Sequence, residues 1–157
     1  MAYESYFADS TGCDVNHLLD DWRWLVGGSD FELFKVTAMG DLFLRDAHGA
    51  IQFLDMVDGK FLPFAKSEEE FASQLEDRNT RLRILGSFVV RGLLSAGRTL
   101  GPCECFSPDH PPVLGGALSS ENLAPCSILV HSSILGQIHR QVRGLPPGTK
   151  VNSFKVE

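Results

Sequence analysis

Residues 31–64 read FELFKVTAMGDLFLRDAHGAIQFLDMVDGKFLPF, and the punctuation of this stretch decides the fold. Short runs of Phe, Leu, Val and Ile are cut at Met39-Gly40-Asp41, at Asp46-Ala47-His48-Gly49 and at Asp58-Gly59. Apolar runs bounded by turn residues are strand signals, and Asp-Gly suits the positive φ values of a type I′ hairpin turn. The spacing predicts four consecutive strands, roughly 31–37, 42–46, 50–56 and 60–64. Connections this short leave no room for crossover helices, so the strands are antiparallel and form a meander.

Outward from the meander the pattern turns helical. Upstream, residues 1–12 read as a flexible lead-in to a single domain over 13–157. Val15, Leu18, Leu19, Trp22 and Leu25 then recur at helical spacing, with Asp14 placed to cap and Gly27-Gly28 to stop a helix over 14–26. Downstream, Ser67 with Glu70 forms a capping-box pattern opening a helix over 67–85, with Asp77-Arg78-Asn79-Thr80 a point of interruption. Phe88 to Leu100 reads as a further helix or a buried strand, with helix favoured although Gly92 and Gly97 weaken it. Residues 101–121 are irregular, with one short strand at Cys103–Phe106. Cys126 to Val130 reads as a buried strand, and Ile134, Leu135 and Ile138 mark the apolar face of a helix over 132–143. Val151 to Val156 reads as an edge strand or a frayed tail. The element order means α+β: an antiparallel sheet, the four-strand meander plus one or two later strands, packed against three or four helices.

Fourteen Lys+Arg against twenty Asp+Glu give a formal charge of −6 over 157 residues. A binder of nucleic-acid backbone needs a clustered positive surface, so composition argues against that partner. No stretch reaches the roughly 20 apolar residues that span a bilayer, and the first residues lack a secretory pattern, so the expected location is the cytoplasm, with no membrane partner. Reducing conditions there leave Cys13, Cys103, Cys105 and Cys126 as free thiols, and no paired Cys-x-x-Cys frames a zinc site. The expected oligomeric state is a monomer or homodimer.

The strongest chemistry-bearing constellation is Cys103, Cys105 and His110, which a small metalloprotein or thiol enzyme could use as ligands or as a nucleophile–base pair. Cys103 and Cys105 would share one strand face, a common place for buried structural cysteines. His17, His48, His131 and His139 form no ligand pair. No phosphate-binding glycine loop and no nucleophile elbow is present, so no catalytic residue, metal or cofactor is assigned. Asp41, Asp46, Asp55, Asp58, Glu104, Asp109 and Glu121 surround the sheet and the loop. They read as a solvated acidic face or as a surface that captures a basic partner, where charge speeds association and aromatic or Arg anchors supply the binding energy.

Three segments carry a resemblance. Trp22 with Leu25, then Phe34 to Leu44 with its Thr37-x-x-Gly40-Asp41 turn and Asp46 to Ile51 with its Asp46-x-x-Gly49 turn, come first. Pro111 to Gly116, followed by His131 to His139, form the closing pattern. Together they resemble the C-terminal domain of unknown function of type VI secretion DNase-immunity proteins, and they are distantly similar to the SUKH toxin-immunity superfamily. The resemblance implies a binding protein that blocks a cognate toxin, a nuclease among the candidates, and no family active site. Within it Gly40 and Gly49 are turn residues, Gly115 and Gly116 allow close backbone approach, and Ile134, Leu135 and Ile138 pack a helix face.

Overall fold

The computed structural model describes residues 3–157. Strands β1 (Glu32–Val36), β2 (Leu42–Arg45), β3 (Ile51–Asp55) and β4 (Lys60–Ala65) form one antiparallel sheet in sequence order. Val36 lies opposite Leu42, Leu42 opposite Leu54, and Asp55 opposite Lys60. Successive side chains alternate between faces, and here both faces are covered. Leu42, Leu44, Leu54 and Met56 join Leu18, Leu19, Trp22 and Leu135 in one core. Phe43, Ile51 and Phe53 join Phe71, Leu75 and Leu85 in a second. The Phe71 ring stands edge-on to Phe43 at 4.8 Å and to Phe34 at 5.0 Å. Burial on two sides is why the central strands β2 and β3 read as apolar runs with little polar alternation, whereas β1 and β4 at the edges stay more open.

The helix expected over 14–26 is broken into α1 (Val15–Leu19), a 3₁₀ turn at Asp20–Trp22 and α2 (Arg23–Val26). Asp14 caps α1 as expected, its carboxylate accepting from the Asn16 N–H at 2.8 Å. The tighter turn seats Trp22 fully inside the protein, where its Nε1–H donates to Ser132 O at 2.9 Å. Ser132 belongs to the longest helix among the described residues, α6 (Ile128–Val142), and this helix comes so close that a Cβ on Gly136 would stand 2.6 Å from Asp21 O.

The 67–85 helix divides at Asp77 into α3 (Glu68–Leu75) and α4 (Arg78–Ile84), because the Asp77 carboxylate accepts from Thr80 N–H at 2.8 Å and starts a new helix. Helix α5 (Ser87–Ser95) follows, ending before Gly97. Strands β5 (Glu104–Pro108) and β6 (Leu123–Ser127) pair with each other, with Cys105 opposite Cys126, and form a sheet separate from the meander. The Phe106 N–H donates to Ala38 O at 2.8 Å and ties the two sheets together. Around that bond Ala38, Met39, Val90, Leu93, Phe106 and Leu123 make a third core that fastens α5.

A further sequence expectation changes. The run Cys126 to Val130 is not one strand: the chain turns at Ser127, whose Oγ accepts from Val130 N–H at 3.4 Å, and α6 (Ile128–Val142) begins four residues earlier than the periodicity placed it. A serine cap and the burial of Ile128 outweigh the β preference of Ile128 and Val130. The lead-in is held along the sheet where it is described; residues 1 and 2 lie outside the described residues. The Ala8 N–H donates to Val36 O at 2.9 Å, and the Ala38 N–H donates to Tyr6 O at 2.7 Å.

The closing residues 151–157 have no regular secondary structure, yet two glutamines of α6 hold them. Lys155 N–H donates to Gln141 Oε1 at 3.0 Å and Glu157 N–H to Gln137 Oε1 at 2.6 Å, while the Gln137 and Gln141 amides donate back to the carbonyls of Glu157 and Lys155. The fit is geometric. Four residues of helix and two of extended chain both advance about 6 Å, so side chains at i and i+4 meet backbone groups at j and j+2.

Candidate functional site

The turn between β1 and β2 builds the most polar part of the interior. Thr37 Oγ1 accepts from the Asp41 N–H at 3.0 Å, and Thr37 N–H donates to Asp41 O at 2.8 Å, closing the turn around Gly40. Asp41 is buried, its Oδ1 accepting from the Met56 N–H at 2.8 Å. Burial, with the Asp55 charge added, holds its carboxyl well above the usual carboxylate range. Asp41 therefore cannot belong to an acidic docking face; it is a bracket between the β1–β2 and β3–β4 turns. Beneath the turn lie His131 and Cys105: a Cβ on Gly40 would stand 2.3 Å from His131 Nε2 and 2.9 Å from Cys105 Sγ. His131 sits inside α6, not ahead of it, with Nδ1 2.8 Å from Ser107 Oγ and Nε2 without a partner. Burial pushes its pKa down to about 4. His139, whose Nε2–H donates to Met56 O at 3.0 Å and Val57 O at 3.2 Å, is also lowered by burial.

A depressed histidine gives a signed pH effect. The unfolded chain binds a proton near pH 6.5 and the folded chain does not until about pH 4, so stability is present above 6.5 and is lost on acidification through that window. Raised Asp41 and Asp55 act oppositely, being protonated sooner in the folded state. The clean readout is the difference between wild type and His131→Gln in denaturant melts at pH 7 and pH 4.5. Wild type is expected to lose roughly 2–3 kcal/mol more than the variant; parallel losses would refute the assignment.

Cys103, Cys105 and His110 do not converge. Cys103 lies one residue before β5 with φ +55°, so its side chain leaves the strand face that Cys105 occupies. Its sulfur lies 2.9 Å from Cys13 Sγ and 2.8 Å from Thr11 O. Burial and then the hydrogen bond to Cys103 push the Cys13 thiol up to about 12. Cys105 is buried beside His131, and burial holds its thiol well above the ordinary value, which makes it a poor nucleophile. His110 is exposed and positions its own loop, Nε2–H donating to Leu114 O at 2.9 Å. Among the described residues no group of three or more His, Cys, Asp and Glu side chains is arranged to hold a metal ion.

The remaining carboxylates divide among several places. Asp55 and Asp58 flank the β3–β4 turn, Asp58 exposed and Asp55 half-buried. Asp46 is at the opposite end of the sheet, half-buried and committed to the N–H groups of His48 at 2.9 Å and Ala50 at 3.0 Å. Glu104 and Asp109 border Cys126 at either end of β5, and Glu121 is exposed in the 3₁₀ turn before β6. Of the pair Gly115 and Gly116, only Gly116 has the close approach, its Cβ position falling 1.7 Å from His110 O, while a Cβ on Gly115 meets nothing within 4 Å. Leu135 and Ile138 are buried on α6, with Ile134 half-buried beside them.

Residues 65–139 match the family model described as T6SS immunity protein Tdi1, C-terminal. The match agrees with the resemblance drawn from the sequence. The matched region holds the end of β4, helices α3 to α5, the β5–β6 hairpin and most of α6; it includes Cys103, Cys105, His110, His131 and Gly116, and excludes Gly40 and Asp41. The fold is similar to that in "Crystal structure of Atu4351 from Agrobacterium tumefaciens", with a TM-score of 0.56 and 18% identity. The alignment covers 80% of this chain and 65% of that chain, so this chain spans somewhat less than two thirds of its neighbour's length. No curated protein matches. No helix among the described residues is long and apolar enough to cross a membrane.

Two features escaped the reading of the sequence. The Cys13–Cys103 pair joins positions 90 apart in the chain, and no local spacing announces it. Phe88, 78% exposed on α5, was read only as part of an apolar helix. The signal beside it was available: residues 78–98 hold five arginines and no acidic residue.

Proposed function

We propose that the chain is an immunity protein that neutralises a cognate type VI toxin in the cytoplasm by covering its surface, without catalysis. The match of residues 65–139 to an immunity family carries this reading. The geometry supports it: the polar groups most suited to chemistry, Asp41, Cys105 and His131, are enclosed and act as struts between the two sheets. The DNase-immunity resemblance makes a nuclease the first toxin class to test. A nuclease carries a basic substrate surface, and the net charge of −6 would steer it in through Asp46, Asp55, Asp58, Glu104, Asp109 and Glu121. Steering acts over the whole molecule, so these carboxylates need not share one face.

The experiment is co-purification of the chain with the effector encoded beside it, catalytically inactivated, followed by titration calorimetry. A one-to-one complex with a dissociation constant at or below about 10 nM, which abolishes the wild-type effector's activity, is expected. No complex at micromolar concentration would overturn the reading. The metalloprotein or thiol-enzyme reading is tested by metal analysis of chelator-free protein: a stoichiometric ion at Cys103, Cys105 or His110 would favour it.

A further inference from the structure

Phe88 is the most exposed of the large apolar side chains among the described residues, at 78%, and it stands on the outer face of α5 with the ring free in solvent. Gly92 and Ser95 follow at i+4 and i+7 on the same face, and a Cβ on Gly92 would meet nothing within 4 Å. They form a low shelf beside the ring. Leu118, 46% exposed, rises on the other side from the loop before β6, and Arg78 and Arg91 border the space. The result is a shallow groove of about 630 Å³ with an aromatic wall, an aliphatic wall and two guanidinium groups. The lining itself holds two arginines and no carboxylate, Asp77 and Glu121 being next in sequence to it, while Arg81 and Arg98 are turned away onto the carbonyls of Leu75, Glu76 and Leu123. Arg is among the residues that dominate binding energy and Phe among those enriched at the cores of interfaces, and most of the Phe88 surface is left uncovered by this fold.

We propose that this groove is the anchor by which the chain holds its partner, and that the partner presents an apolar recess for Phe88 rimmed by carboxylates that pair with Arg78 and Arg91. This rests on the immunity reading and names the chemistry of its interface. Negative charge elsewhere accelerates encounter with a partner that is basic overall, while the Arg-bordered ring decides how long the complex lasts.

The test is calorimetry with the inactivated neighbouring effector against wild type, Phe88→Ala, Arg91→Glu and the distant exposed control Leu129→Ala. Phe88→Ala is expected to weaken binding by at least about 30-fold and Arg91→Glu by at least about tenfold, with Leu129→Ala within threefold of wild type. Because Phe88 and Arg91 are exposed, circular dichroism and melting temperature should be unchanged, which separates loss of contact from loss of fold. If wild type binds and both groove variants bind within threefold of it, the groove is not the anchor and the immunity reading survives. If wild type binds nothing, the immunity reading falls and this inference with it. If light scattering shows a wild-type dimer that Phe88→Ala dissociates, or if Arg91→Glu abolishes binding of a single-stranded oligonucleotide by wild type, the groove serves a second copy or a nucleic acid and the proposal is wrong.

Discussion

Replacing Gly40 with alanine is expected to lower the folding stability by roughly 3–5 kcal/mol, while the same change at Gly49 costs roughly 1 kcal/mol. Both glycines hold the left-handed backbone of a hairpin turn, at φ +92° and +83°, so the conformational penalty is common to both. Space separates them. A Cβ on Gly49 meets nothing within 4 Å, whereas on Gly40 it falls 2.3 Å from His131 Nε2, 2.5 Å from His131 Cδ2 and 2.9 Å from Cys105 Sγ. His131 cannot retreat cheaply, because Nδ1 is held against Ser107 Oγ and the residue is buried on α6. The added methyl must push α6 and β5 away from the β1–β2 turn, opening the Phe106–Ala38 link between the sheets. Urea denaturation of the two variants and wild type reads the difference directly. Equal midpoints for Gly40→Ala and Gly49→Ala would show that the turn and α6 are not in contact.

The contrast between the two glycines also marks where the sequence stops being informative. Both announced themselves as turn residues by spacing, and the meander, the capping pattern at Ser67 and the break at Asp77 were legible for the same reason: each is decided by neighbours within a few residues. What lies against Gly40 was not legible, since His131 is 91 positions away and reaches it only through the fold. The same limit explains the carboxylates. Asp41 and Asp58 look alike in sequence, but one is enclosed between two turns and the other is in water. Cys103 and Cys105 misled differently. Their i, i+2 spacing predicts one face only if both are in the strand, and the positive φ at Cys103 puts it outside. The Phe88 groove combines a local signal, the acid-free arginine run, with a loop 30 residues further on, so only half of it was written in one place.

Oxidising the purified chain with oxidised glutathione is expected to join Cys13 to Cys103 and to raise stability by about 4 kcal/mol. The two sulfurs are 2.9 Å apart, with nothing between them. The backbone holds them there: Cys103 N–H donates to Asp9 O at 2.7 Å, and Ile128 N–H donates to Cys103 O at 2.9 Å. One thiolate attacks the glutathione disulfide and releases one glutathione; the second thiol, deprotonated, displaces the other, so two cysteine thiols are oxidised as one disulfide is reduced. The raised pKa of Cys13 makes its thiolate scarce at neutral pH, so the reaction should quicken steeply between pH 7 and pH 9. A closed loop of this length removes about 4–5 kcal/mol of unfolded-chain entropy, and strain at Cys103, already in place in the reduced protein, adds no new penalty. Non-reducing peptide mapping should find the Cys13–Cys103 peptide pair, with Cys105 and Cys126 still reacting as free thiols once the chain is denatured. Denaturant midpoints should rise on oxidation for wild type and stay fixed for Cys13→Ser and Cys103→Ser. A mixture of pairings, or a cross-link that leaves the midpoint where it was, would mean that the lead-in does not rest against the start of β5.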